Sequence, residues 1–158
     1  MENGLCGPDA PTIEEIVLSG ATRKTFNVKY NGHKVSDKSL QRALQDIANF
    51  FGKDVNVTSG DRDFVPTGGA TNSMHLKGKA VDFHVEGMSD AAVFKTLSGD
   101  NSPVGQGFKF IRHGAYTVTQ GAHLHLESGR PTNQPSEFVV EGLTPETKNK
   151  YSIVGGHQ

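Results

Sequence analysis

The stretch Ser73-Met74-His75-Leu76-Lys77-Gly78-Lys79-Ala80-Val81-Asp82-Phe83-His84-Val85 decides how this chain is read. Its first half is polar and turns at Gly78. Its second half, Ala80 to Val85, reads as a strand, with Asp82 and His84 on one face and Val81, Phe83 and Val85 on the other. An imidazole and a carboxylate, His75 and Asp82, therefore flank a glycine turn. Further along, His123-Leu124-His125-Leu126-Glu127 alternates in the same way. His123, His125 and Glu127 face one cleft, and Leu124 and Leu126 point into a core. Histidine and carboxylate side chains are zinc-type ligands, and a catalytic zinc takes three of them while keeping one position open for water. The two segments together can furnish such a set.

Outward from these segments, the chain reads as short elements. Ile13 to Leu18 and Phe26 to Tyr30 are predicted strands, followed by the turn signal Asn31-Gly32. Ser36 or Asp37 can cap a helix in which Leu40, Ala43, Leu44, Ile47, Ala48 and Phe51 form one apolar face, ending at Gly52. Val55 and Val57 begin a strand that runs into Thr58-Ser59-Gly60. Residues 61–79 read as a long polar loop, a class of loop that often carries function. Ser89 or Asp90 can cap a second helix to about Leu97. Phe108 to Ile111, Tyr116 to Thr119 and His123 to Glu127 read as a strand meander. The remainder, with Pro131, Pro135 and Pro145, reads as turns.

The 158 residues fit one domain with its own core, residues 13–158, behind a flexible lead-in over residues 1–12. An apolar content of 34% and 19 glycines predict a loop-rich α+β protein. A formal net charge of −1 leaves no footprint for nucleic acid. No apolar run is long enough for membrane insertion. Cys6 is the only cysteine, so no internal disulfide forms. The first residues carry neither a basic nor an apolar segment of a secretory signal, so the expectation is synthesis in the cytoplasm and delivery by another route.

Ser73-x-His75-x-x-Gly78-x-Ala80-x-Asp82 followed by His123-x-His125 resembles the signature of the M15-type zinc D-alanyl-D-alanine peptidases. Their relatives include phage L-alanyl-D-glutamate endolysins and hedgehog domains. Ser59-Gly60-Asp61-Arg62 resembles that family's Ser-Gly-x-Arg motif, and Gly68-Gly69-Ala70 resembles the segment before its first ligand. The resemblance spans residues 40–130 and implies a small antiparallel sheet with flanking helices and a zinc site in a cleft on the sheet. It implies Zn2+ held by His75, Asp82 and His125. It places His123 beside the open coordination position, Arg62 as a clamp for a substrate carboxylate, and Ser73 as a hydrogen-bonding group for substrate or a neighbouring loop. Gly78 permits close backbone approach and Ala80 keeps space near the metal.

Many family members carry a Glu or Asp shortly before the final motif, as the general base. Here Thr119, Gln120, Gly121 and Ala122 stand there. His123 is the preferred substitute, since its ordinary pKa suits neutral pH, and Glu127 is the second choice. The resemblance implies metal-assisted hydrolysis of peptidoglycan stem peptides or cross-links, by carboxypeptidase or endopeptidase action of a monomer. The expected setting is the periplasm or cell wall, reached as an injected antibacterial effector or a phage lysin. An effector implies secretion machinery and an immunity protein as partners. The rival expectations are a non-catalytic, zinc-stabilised binding domain of the same fold and a zinc amidase acting on non-wall peptides. His84 is expected near the site without ligating, and His33, His113 and His157 receive no role.

Overall fold

A computed structural model describes residues 26–65, 73–118 and 121–156. In chain order these form β1 (Val28–Lys29), α1 (Lys38–Phe51), β2 (Val55–Ser59), a 3-10 helix (Met74–Lys77), β3 (Ala80–Val85) and α2 (Asp90–Leu97). Then follow β4 (Lys109–His113), β5 (His123–Glu127), β6 (Glu137–Glu141), a 3-10 turn (Pro145–Thr147) and β7 (Tyr151–Gly156). The described strands make one seven-stranded sheet in the order β1-β2-β3-β5-β4-β6-β7. Among the described residues no helix is long and apolar enough to cross a membrane.

The apolar periodicity of α1 has the expected consequence. Asp37 caps it by accepting from the amides of Ser39 and Leu40, and Gly52 closes it in a left-handed conformation. Its buried residues Leu40, Ala43, Leu44, Ile47 and Ala48 join Val93, Phe94 and Leu97 of α2 in one core. Val81, Phe83 and Val85 of β3 and Leu124 and Leu126 of β5 complete that core from the sheet. Phe94 packs on Phe110 with ring centroids 5.3 Å apart. Two-residue alternation then sends Asp82, His123 and His125 to the opposite face.

The sheet is larger than expected and mixed rather than antiparallel. β1 pairs with β2, and β4 with β6, in parallel. The first parallel pair arises because α1 carries the chain back between β1 and β2. The second arises because the connection after β5 crosses the end of β4 before β6 begins, at Lys109↔Glu137. The turn-rich reading of the last segment is also corrected: the apolar run Phe138-Val139-Val140 lies in β6, and Pro131, Pro135 and Pro145 all sit outside the strands. Tyr116 to Val118 form no strand. The chain turns at Gly114, where the Thr117 amide donates to the Gly114 carbonyl and the Tyr116 amide to Gly142. The expected strand at Ile13–Leu18, the lead-in, Gly68-Gly69-Ala70, Thr119, Gln120 and His157 lie outside the described residues.

Gly60 ties this frame to the site. The Asp61 amide donates to the Lys34 carbonyl at 2.7 Å, so two backbone segments run against each other here. A Cβ on Gly60 would lie 2.1 Å from that carbonyl oxygen. The Gly60→Ala protein is expected to lose about 1–3 kcal/mol of stability from this overpacking, read from urea unfolding of the two proteins. Equal midpoints would show that the two segments can part without cost.

Candidate metal centre and active site

His75 sits on the 3-10 helix between two local devices. Ser73 caps the helix by accepting from the His75 amide at 3.2 Å. Gly78 closes it with φ +69, a conformation glycine adopts freely, and its amide donates to the His75 carbonyl. That carbonyl also accepts from the Arg62 amide at 3.0 Å. Asp82 and His125 are register partners on the adjacent strands β3 and β5. The sequence motif thus becomes a cluster of three buried side chains.

One ligand atom from each of His75, Asp82 and His125 lies within 4.8 Å of the others. Asp82 Oδ1 is the hub, 3.1 Å from His75 Nε2 and 2.8 Å from His125 Nδ1. Each ring spends its other nitrogen elsewhere. His75 Nδ1–H donates to the Gly60 carbonyl at 2.8 Å, and His125 Nε2–H donates to Glu127 Oε1 at 2.9 Å. In the neutral rings these outer bonds leave the inward nitrogens, His75 Nε2 and His125 Nδ1, as lone pairs aimed at a carboxylate oxygen, and a ring that is also protonated there donates to it. Bare lone pairs cannot sit together there without a proton or a cation between them. The donor set, the burial and the outer-sphere hydrogen bonds all suit a metal ion.

The electrostatics agree. Burial works against ionisation of Asp82, which is 1% exposed, but the hydrogen bonds from His125 and His75 outweigh it and hold the carboxyl well below the usual range. Burial likewise disfavours protonation of His125, yet Asp82 and Glu127 overcome it and raise this ring to about 9 without metal. The sign of the pH dependence follows. A raised histidine stabilises the fold fully below its unfolded value of 6.5 and loses that contribution as pH climbs through about 9. Metal must displace the same proton. The chelated protein is therefore expected to melt at lower temperature as pH rises from 6.5 to 9, while the stabilising shift on adding zinc grows across that window. Thermal scans with and without zinc check this; a zinc shift that shrinks as pH rises would contradict it.

The other expected site residues fall close by. His123 Nδ1–H donates to the Gly121 carbonyl at 2.8 Å, which turns Nε2 toward the cluster, 3.7 Å from Asp82 Oδ2. Arg62 pairs with neither Asp61 nor Asp63. Its Nη2 reaches Ser59 Oγ at 2.8 Å and Asp82 Oδ2 at 3.5 Å. Glu127 bonds the edge of His125 remote from Asp82, and Ser73 serves as a helix cap. Ala80 is buried in β3 opposite Glu127. His84 bonds Asp90 at 2.8 Å rather than joining the cluster, and His33 lies in an exposed turn.

His113 and Glu141 were not legible as site residues. His113 is the register partner of His123 and stacks on it, with centroids 4.5 Å apart and planes at 27°. Glu141 hydrogen-bonds His113 and is almost fully buried. The parity of β4 could have placed His113 on the site face, but only once its strand partner was known.

A model of the Peptidase M15 family matches residues 12–119 of the 158. The match takes in Arg62, His75 and Asp82 and ends before His123 and His125, so the second half of the cluster rests on geometry. No curated protein and no solved structure gives a match.

Proposed function

The chain belongs to the Peptidase M15 family, and from that premise we propose that it is a zinc-dependent peptidase acting on peptidoglycan stem peptides or cross-links. The observation that carries the zinc assignment is the convergence of His75 Nε2, Asp82 Oδ1 and His125 Nδ1, each ring held from behind by Gly60 or Glu127. Zinc, when bound, polarises the scissile carbonyl and acidifies water to near neutral pH.

The chain's own residues supply the rest. His123, with Nδ1–H bonded to Gly121, offers a lone pair on Nε2. It takes a proton from the attacking water and returns it to the leaving amine, as a general base and then a general acid. Protonated between those events, the same nitrogen donates to the oxyanion. Glu127 fits a positioning duty, keeping His125 in the tautomer that presents Nδ1. Arg62, 3.5 Å from Asp82 Oδ2, is read as the cation that meets a substrate carboxylate. That placement favours a substrate with a free carboxylate near the scissile bond, as stem peptides carry.

A non-catalytic zinc module is the second reading. One observation favours it: Glu127, the carboxylate of the His123–Glu127 strand, is already committed to His125. Mass spectrometry of muropeptides after incubation with the zinc-loaded protein separates the two. Shortened stems or split dimers, absent after chelation, support the peptidase and name the bond. Unchanged muropeptides with zinc bound would favour the module.

A further inference from the structure

We propose that Glu141 and His113 form a buried bracket that holds the ring of His123 in its working orientation. The inference rests on His123 being the proton-handling group of the proposed peptidase. It starts from a buried ion-pairing set that the reaction as described leaves unused.

Glu141 closes β6 and is 1% exposed. A carboxylate that deep must be hydrogen-bonded at both oxygens. Oε1 accepts from His113 Nδ1–H and from Thr117 Oγ1 at 2.7 Å, and Oε2 accepts from the Asn149 amide at 2.7 Å. Those three donors come from β4, from the turn after it, and from the loop before β7. The carboxylate therefore fixes His113 against three separate parts of the fold. Burial opposes ionisation of Glu141, but these hydrogen bonds together keep its carboxyl below the ordinary range.

The row His123–His113–Glu141 runs straight across three strands, with His113↔His123 and His113↔Glu141 as register partners. Each ring is gripped at one nitrogen, His123 by Gly121 and His113 by Glu141. The Gly121 bond alone leaves His123 free to swing about that contact. The stacked His113 face removes that freedom, and the edge of His113 also meets His125 at 5.9 Å. A general base earns its rate only when its lone pair is aimed. Glu141 and His113 are thus positioning residues.

The test compares His113→Leu with His113→Phe. Both remove the bond to Glu141 equally, and only phenylalanine keeps a flat ring over His123. Three quantities are read: kcat and KM on a muropeptide, zinc per chain, and the χ1 rotamer and ring tautomer of His123 by NMR. The leucine protein is expected to lose about ten- to hundredfold in kcat, with KM and bound zinc unchanged and the His123 rotamer averaged. The phenylalanine protein is expected to recover part of the rate and a single rotamer, the shortfall being the share of the lost Glu141 bond. Equal behaviour of the two variants, or an averaged His123 rotamer in the unmodified protein, would overturn the bracket. If the unmodified protein cleaves no wall peptide, the proposed function fails, and the rotamer measurement still decides the bracket.

Discussion

Asp82→Ala protein is expected to bind no zinc at stoichiometric concentration and to show no hydrolysis above background. The reason is the position of Asp82 as the common partner of both imidazoles. His75 Nε2 and His125 Nδ1 approach the same Oδ1, and Arg62 and His123 approach Oδ2. Alanine removes a ligand and the charge that gathers the other groups. It also leaves the Arg62 guanidinium, only 10% exposed, with Ser59 as its remaining side-chain partner among the described residues. Breaking a buried pair from one side costs about 3–5 kcal/mol, so the metal-free variant should also unfold at lower denaturant. Zinc content after dialysis and urea unfolding check the two parts separately. Full zinc content in the folded variant would show that the metal sits elsewhere.

His123→Ala protein is expected to keep its zinc and its fold and to lose about a hundred- to ten-thousandfold in kcat. The ring donates to the Gly121 carbonyl, just before its own strand, and stands 3.7 Å from Asp82 Oδ2, so its loss takes no ligand from the set. Metal content, melting temperature and steady-state kinetics on one muropeptide separate this outcome from that of Asp82→Ala. A His123→Ala protein with zinc and full activity would remove His123 from the reaction and return attention to Glu127.

Much of the site was legible because spacing carries its chemistry. His75 and Asp82 are separated by a turn whose glycine takes a left-handed conformation, and both ends of that turn are anchored locally. Strand parity put His125 on one face with His123 and Glu127, and the family resemblance picked it out as a ligand; its place opposite Asp82 comes from the register of the two strands. The helices were legible because Leu40 to Ala48 repeat with helical period and Asp37 and Ser89 cap them. Other features depend on contacts that sequence order conceals. Glu127 shares a face with His123 and His125, but only the rotamers decide which ring it touches. His113 and Glu141 lie 28 residues apart and meet because β6 adds in parallel beyond β4, a choice that alternation alone does not make. The strand at Glu137–Glu141 was hidden by the prolines around it.

The most direct measurement is the zinc stoichiometry of the purified protein and of its His75→Ala, Asp82→Ala and His125→Ala forms, by elemental analysis after equilibrium dialysis. The account predicts one zinc per chain in the unmodified protein and none in each folded variant. Zinc retained in full by any of the three folded variants, or no zinc in the unmodified protein, would contradict the metal centre on which the proposed peptidase depends.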